Sequence, residues 1–162
     1  MRHAFPKLTE GPVLALAAVL MAVMLLSCPS RAQEGVAGAK SMVDRAVAAI
    51  DENGWPGALA AVPPETWARL DEDLYVFIVN TDGFIVFHPN RRAIGVNVAA
   101  ARDPDGYAYM QDLMTQLNSE GATGLVEYYW SRPSDGEIKL KRTYARRIGN
   151  LLVACGVYVE DI

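Results

Sequence analysis

The segment from Leu74 to Asn90, LYVFIVNTDGFIVFHPN, brings a histidine to the end of an apolar run. Two runs of β-branched and aromatic residues flank Asp82-Gly83, a pair typical of the tight turn of a β-hairpin. Because neither run alternates with polar residues, we expect a sheet that is covered on both faces. His88 then lies at the rim of this sheet, where a polar side chain needs a hydrogen-bonding partner or a ligand.

The rest of the chain offers little catalytic or metal-binding chemistry. His3 and His88 are the only histidines, and Cys28 and Cys155 are the only cysteines. So few ligands argue against a zinc site, and Cys155, in the middle of an apolar run, is predicted to be a small buried hydrophobe. We find neither a Ser/His/Asp order nor a glycine loop for phosphate. The sequence therefore predicts a protein that is not an enzyme and needs no cofactor or metal.

The N-terminus has the features of an export signal. Basic residues precede the apolar run Val13–Leu26, and Ser30-Arg31-Ala32 fits a small-x-small cleavage site. This run of about 14 residues is shorter than the roughly 20 that a membrane span needs. We predict that residues 1–32 are cleaved and that the mature chain, residues 33–162, is periplasmic or secreted and does not span a membrane.

A second interpretation of the same segment remains open. Leu25-Leu26-Ser27-Cys28 resembles the signal of a bacterial lipoprotein, in which a lipid on Cys28 would tether the domain to a membrane. Mass spectrometry of the exported product would distinguish the two processing events.

Charge and length limit the partners of the mature chain. Residues 1–32 carry three basic residues and one acidic residue, so the formal net charge changes from −4 to −6 when they are removed. An acidic domain is a poor match for nucleic acid, since binding to nucleic acid depends on neutralising phosphates. The remaining residues suit one domain with a hydrophobic core of its own.

The order of predicted elements is helix, hairpin, helix, three strands. Apolar residues recur at helical spacing over residues 36–53, and a short helical piece around Trp67 and Leu70 precedes the hairpin. A second helix is predicted from Gly106, capped by Asp103 or Asp105. Strands over 124–130, 137–148 and 151–159 follow. These elements predict an α+β domain with a five-stranded antiparallel sheet and helices on both faces.

In this order and spacing, the residues resemble the Cache domains of bacterial extracellular sensors, in particular the single Cache domain of the second type. The motifs that carry the resemblance are Tyr75-Val76-Phe77, Asp82-Gly83, His88-Pro89, Gly95, Asp103, Gly106, Val126-Glu127-Tyr128-Tyr129-Trp130, Lys141 with Tyr144, and Gly156 to Ile162. The resemblance implies a PAS-like architecture, with a long N-terminal helix on one face of the sheet and a pocket for a small ligand on the other.

The resemblance also implies a set of pocket residues. These are His88, Tyr128, Trp130, Lys141 and Tyr144. Their chemistry suits a carboxylate, because Lys141 can supply the positive charge, while the tyrosines and His88 can donate hydrogen bonds. Trp130 and Phe87 could enclose the short aliphatic part of such a ligand.

Each of these assignments has a structural alternative. His88 could bond to the backbone at the end of its strand, and Lys141 could lie with Lys139 on a solvated strand edge. Strict alternation places residues 141 and 144 on opposite faces, so both can line one pocket only if a bulge or twist lies between them. Tyr128 shares a face with Trp130, but the sequence leaves open whether that face is the pocket or the side of the helix.

The sequence therefore predicts an exported module that captures a small organic acid or a similar metabolite and acts through a partner protein. Because the sequence ends soon after Val159, we expect no transmembrane or signalling helix after the sheet. The alternative function is a periplasmic interaction module with a vestigial pocket that docks on a membrane sensor or transporter.

Overall fold

The computed structural model describes residues 31–159, with side chains from residue 35 onwards. Residues 1–30, which include Cys28 and most of the predicted export signal, lie outside this part. Cleavage after Ala32 and lipidation of Cys28 therefore both stay predictions. Among the described residues, no helix combines the length and the apolar character that crossing a membrane requires.

The described chain contains three α-helices and six β-strands. In chain order they are α1 (Arg31–Asn53), α2 (Ala58–Ala61), β1 (Ala68–Arg69), β2 (Leu74–Asn80), β3 (Ile85–Phe87), α3 (Tyr109–Gln116), β4 (Thr123–Ser131), β5 (Ile138–Ile148) and β6 (Leu151–Tyr158). Short 3-10 helices at Pro64–Thr66, Leu70–Glu72 and Arg91–Ala93 lie in the connections.

The strands form one antiparallel sheet in the order β1-β2-β6-β5-β4, and β3 also pairs with β2. The predicted α+β class, the hairpin and the three consecutive strands are confirmed. The sheet has six strands instead of five because Ala68 and Arg69, predicted as part of a helical piece, pair with Tyr75 and Leu74.

Helix α1 covers one face of the sheet. Its buried stripe includes Met42 and Val43. These side chains belong to one cluster with the residues of β2 and β6 that point to this face, among them Val76 and Val153. Cys155 is buried in this cluster, and burial raises the pKa of its thiol to about 12. The thiol therefore stays protonated, as expected for a small buried hydrophobe.

Helix α3 packs on the opposite face. Tyr75, Phe77 and Val79 of β2 form a second buried cluster there with α3 residues that include Leu113. Because consecutive side chains of a strand point to opposite faces, the single run of β2 supplies both clusters. This confirms that a sheet covered on both faces underlies the continuous apolar sequence.

The turn between β2 and β3 is fixed by Asn80 and Gly83. The side-chain oxygen of Asn80 accepts hydrogen bonds from the backbone N–H groups of Asp82 and Phe84, at 3.2 and 2.8 Å. Gly83 has φ +88°, and a Cβ at this position would lie 2.6 Å from the Cβ of Ala99. Glycine is therefore required both by the backbone conformation and by the close approach of the neighbouring loop.

The prediction that Asp103 or Asp105 caps the second helix is wrong. Helix α3 has no side-chain cap. Oδ1 of Asp103 instead accepts from the backbone N–H groups of Asp105 and Tyr107, and Oδ2 accepts from that of Tyr129 at 3.2 Å. The carboxylate thus stabilises the loop before α3 and links it to β4. Asp side chains readily accept hydrogen bonds from backbone N–H groups nearby in a loop, and Asp103 does this instead of capping the helix.

Leu113 tests whether the cluster under α3 is a true core. Its side chain is 1% exposed, so Leu113→Ala should lower the free energy of unfolding by about 2–5 kcal/mol, the usual cost of such a cavity. Leu70→Ala is the matched control, since Leu70 is 58% exposed and the change should cost less than about 1 kcal/mol. Urea denaturation measures both, and equal effects would contradict the assignment.

Candidate functional site

Lys141 is buried on the face of the sheet that α3 partly covers. It lies on β5, opposite Tyr128 of β4 and Tyr158 of β6, and is 1% exposed. Its Nζ donates a hydrogen bond of 2.9 Å to the hydroxyl oxygen of Tyr75 on β2. No carboxylate among residues 35–159 pairs with it. The solvated strand edge that the sequence also allowed is therefore not where this lysine lies.

Aromatic rings surround the ammonium group. Nζ lies 4.4 Å from the ring centroid of Tyr75, 5.1 Å from that of Tyr158 and 5.7 Å from that of Phe77. Contacts of this kind stabilise a cation by about 0.5–2 kcal/mol, whereas burying an unpaired charge costs several. An ammonium has three donors, and one forms a hydrogen bond within the described chain. The rings hold the charge in place without neutralising it.

A second group of aromatic side chains extends the site toward β4 and α3. The ring of Tyr128 stacks on that of Tyr109, with centroids 3.9 Å apart and planes 8° apart. The ring of Trp130 lies edge-on to both, with its centroid 5.7 Å from that of Tyr109 and 6.1 Å from that of Tyr128. The Tyr128 and Thr143 hydroxyls lie within hydrogen-bonding distance, at 3.1 Å. The structure thus places Tyr128 on the face of Lys141, which the sequence had left open.

Tyr109, Tyr128 and Tyr158 remain neutral at physiological pH. Burial raises the pKa of Tyr109 to about 12, with smaller contributions from Tyr75 and Asp103. Burial also raises the pKa values of Tyr128 and Tyr158. The hydroxyl groups of Tyr109 and Tyr128 can therefore donate hydrogen bonds without adding negative charge to the site, whereas that of Tyr158 already donates to the carbonyl oxygen of Ser131, at 2.8 Å.

His88 follows β3 and faces the same cluster. Its ring centroid lies 5.2 Å from that of Tyr75, and its Nδ1 accepts a hydrogen bond of 2.9 Å from the backbone N–H of Asn90. The neutral ring consequently carries its proton on Nε2, which is a donor. Burial, then the charge of Lys141, lowers the pKa of His88. The backbone bond that the sequence offered as an alternative is present, and it orients the ring.

Tyr144 does not lie with the other four predicted site residues. It packs against the cluster under α1, and Nζ of Lys40 lies 5.6 Å from its ring centroid. Strand β5 pairs with β6 in an unbroken register from Lys141 to Ile148, so no bulge brings residues 141 and 144 to one face. Alternation along the strand decides the outcome, and we leave Tyr144 out of the site.

Phe87 also lies elsewhere. Its ring contacts those of Trp67 and Trp55, at centroid distances of 5.6 and 6.3 Å, on the α1 side. From the sequence, this ring was a candidate to enclose the short aliphatic part of a ligand. Adjacent residues at the end of a strand point to opposite faces, which accounts for the difference.

Several residues of the site were missed from sequence. Tyr75, Phe77 and Thr143 contact Lys141 or Tyr128 directly, and Tyr109 stacks on Tyr128. Tyr75 sits in an apolar run whose pairing partner could not be deduced before the strand order was known. Thr143 shares a face with Lys141 by alternation, and this signal was available in the sequence.

A second group of charged side chains lies in a groove of about 310 Å³ beside α1. Both acidic and basic residues line this groove. Arg146 Nη1 lies 3.5 Å from Asp44 Oδ1, Arg147 donates to the carbonyl oxygens of Leu117 and Gly149, and Glu120 accepts from a backbone N–H. These groups are partnered within the protein. Lys141, by contrast, has no ionic partner in the described part of the chain.

The described residues contain no group of three or more His, Cys, Asp or Glu side chains that could hold a metal ion. The side chains that the structure brings together at the site are one ammonium, several hydroxyl groups, one imidazole and aromatic rings. Such a set can bind an anion with a small apolar part.

Comparison with known proteins identifies the class of this fold. The family model for the Cache domain matches residues 67–162. The match covers more than half of the chain, and the chain belongs to the Cache domain family, as its sequence motifs predicted.

Two curated sensory proteins are similar in sequence. The methyl-accepting chemotaxis protein McpP of Pseudomonas putida is 30% identical over 97 residues, which are 58% of this chain and 18% of that protein. The sensor histidine kinase MctS of Rhizobium johnstonii is 31% identical over 94 residues, 56% of this chain and 20% of that protein. The chain thus matches about a fifth of each relative's length.

Solved structures share the fold. A methyl-accepting chemotaxis protein from Vibrio parahaemolyticus has a TM-score of 0.62 at 18% identity, covering 93% of this chain and 99% of that one. A periplasmic sensor domain of a chemotaxis protein has 0.58 at 23%, covering 90% and 98%. A Cache chemosensory domain described in terms of carboxylic acid recognition has 0.57 at 24%, covering 75% and 92%.

The unpaired charge of Lys141 leads to a stability prediction. Lys141→Met keeps most of the side-chain volume and removes a buried charge that has no described ionic partner. The free energy of unfolding of the ligand-free protein should therefore rise by about 1 kcal/mol or more. Lys40→Met, at a side chain that is 55% exposed, should change it by less than about 0.5 kcal/mol. A loss of stability in Lys141→Met, measured by urea denaturation, would contradict the argument.

The lowered pKa of His88 predicts how stability depends on pH. The unfolded chain binds a proton at an ordinary pKa of about 6.5, while the folded chain binds it only at lower pH. Stability from this residue is thus fully present above pH 6.5 and is lost as pH falls. Denaturation from about pH 7.5 to about 5.5 should show this loss, and His88→Gln should reduce it. Equal pH slopes in both proteins would sink the prediction.

Proposed function

We propose that this domain binds a small organic acid outside the cytoplasm and conveys the bound state to a partner protein. One observation carries the proposal: Lys141 is 1% exposed, and its ammonium group has no carboxylate partner among the described residues. An uncompensated buried charge costs several kcal/mol. A ligand carboxylate beside Lys141 would offset this cost.

The groups around Lys141 favour an anion over other ligands. His88 has Nε2 as a donor, and the Lys141 ammonium, which has three donors, forms one hydrogen bond within the described chain, to Tyr75. Donors aimed at one anion strengthen each other's effect where water is excluded. The rings of Tyr109 and Trp130 supply apolar walls, which suit a short aliphatic chain.

The relatives support the same class of function. The matched curated proteins are a chemotaxis receptor and a sensor kinase, and one fold neighbour is described in terms of carboxylic acid recognition. Another is a periplasmic sensor domain, in keeping with the predicted export of this chain. We propose that the partner is a membrane sensor or transporter and that the domain is periplasmic. We propose no catalytic step.

Direct binding measurements test this function. Isothermal calorimetry of the protein with acetate, propionate, pyruvate and lactate should detect binding of at least one of them. Lys141→Ala should then weaken that binding by about 2–5 kcal/mol, the range for removing one partner of a buried charge pair.

Arg142→Ala provides the matched control. It removes the same charge from the next residue of β5, but Arg142 points to the other face and pairs with Glu127 at 2.5 Å. Binding should be unchanged in this variant. If none of the four acids binds, and Lys141→Ala leaves a wider thermal-shift screen of metabolites unchanged, the proposal fails and the interaction module is favoured.

A further inference from the structure

The position of Lys141 depends on a residue that offers no side chain. Gly156 lies in β6, within the run LLVACGVY, between Thr143 of β5 and Tyr75 of β2 in the register of the sheet. Glycine in the interior of a strand weakens it and marks a close approach of another group. Gly156 is not among the glycines with positive φ, so its backbone conformation does not explain its presence.

The group that approaches Gly156 is the lysine itself. A Cβ at position 156 would lie 2.2 Å from Cε and 3.1 Å from Cδ of Lys141, and 2.6 Å from the hydroxyl oxygen of Thr143. The backbone of Lys141 lies opposite Tyr158 of β6. Its Nζ reaches Tyr75 of β2, which is paired with Gly156, two residues before Tyr158 on β6. The aliphatic part of Lys141 therefore crosses β6 through the space that a side chain at 156 would fill.

We infer that Gly156 is a positioning residue of the binding site, which sets where the ammonium group of Lys141 lies and so where a ligand carboxylate binds. The inference rests on the proposed function for the ligand, but the path of Lys141 is independent of it. Larger side chains at 156 force the amine away from Tyr75, because the end of a lysine moves more easily than the backbone of two paired strands.

Chemical modification tests the position of the amine without any ligand. In the native protein, acylation of Lys141, followed by peptide mass spectrometry, should be at least about tenfold slower than that of exposed Lys40, because it requires local opening. Gly156→Ala should raise the Lys141 rate by about fivefold or more. Gly38→Ala, where the nearest atoms to a new Cβ lie 3.9 and 4.0 Å away, should leave it unchanged.

Binding provides the second measurement. For whichever of acetate, propionate, pyruvate and lactate the native protein binds, Gly156→Ala should raise the Kd by about tenfold or more, and Gly38→Ala should not change it. Failure of all four acids to bind would contradict the proposed function only, since the acylation rates still test the role of Gly156. An unchanged Lys141 rate in Gly156→Ala would overturn the role of Gly156, even where carboxylate binding is found.

A double-mutant cycle covers the case in which Gly156→Ala folds poorly. The fall in melting temperature caused by Gly156→Ala should be smaller in a Lys141→Ala background, since the overlap with Cε and Cδ is then gone. The overlap with the Thr143 hydroxyl persists in both backgrounds and cancels in the comparison. Equal falls in the two backgrounds would show that Lys141 does not occupy the space over Gly156, and would overturn the inference.

Discussion

The site is built around a positive charge that the fold buries without an ionic partner in its described part. Lys141 keeps one hydrogen bond, to Tyr75, and is otherwise enclosed by aromatic rings. Those rings offset only part of the free energy lost by removing an ammonium from water. The packing of β2, β5 and β6 must supply the rest, so the chain maintains at this point an arrangement that stability alone would not favour. In the proposed function, the carboxylate of the ligand supplies the missing interaction.

The same strands connect this site to helix α1. In β2, Tyr75 and Phe77 face Lys141 while Val76 and Ile78 pack under α1, and β6 likewise contributes to both clusters. Side chains on the two faces of a strand share one backbone, so a strand cannot shift on the side of the site without shifting its contacts with α1. Close-packed layers respond to such shifts as units. This layering gives a ligand-dependent change near Lys141 a physical route to the long helix, which is the kind of coupling that the proposed sensing role needs.

Local sequence patterns predicted the elements of the fold well and the pairing of its strands less well. The apolar run of β2, the hairpin turn and the stripe of α1 are consequences of neighbouring residues, and each was recognised. Strand β1 was missed because two residues carry no periodicity. The family resemblance supplied His88, Tyr128, Trp130 and Lys141, which the structure places on one face. It also supplied Tyr144, which strict alternation along β5 separates from them.

The remaining residues of the site depend on register between distant strands, which a single sequence does not contain. Tyr75 and Lys141 are 66 positions apart in the sequence. They meet only because β2 pairs with β6 and β6 pairs with β5. Gly156 was noticed as part of a motif, but its meaning became clear only when the lysine was seen to cross it. A residue defined by the space it leaves empty has no chemical signature of its own. Its role has to be deduced from the side chain that uses that space, and in this domain that side chain carries the charge on which the proposed function depends.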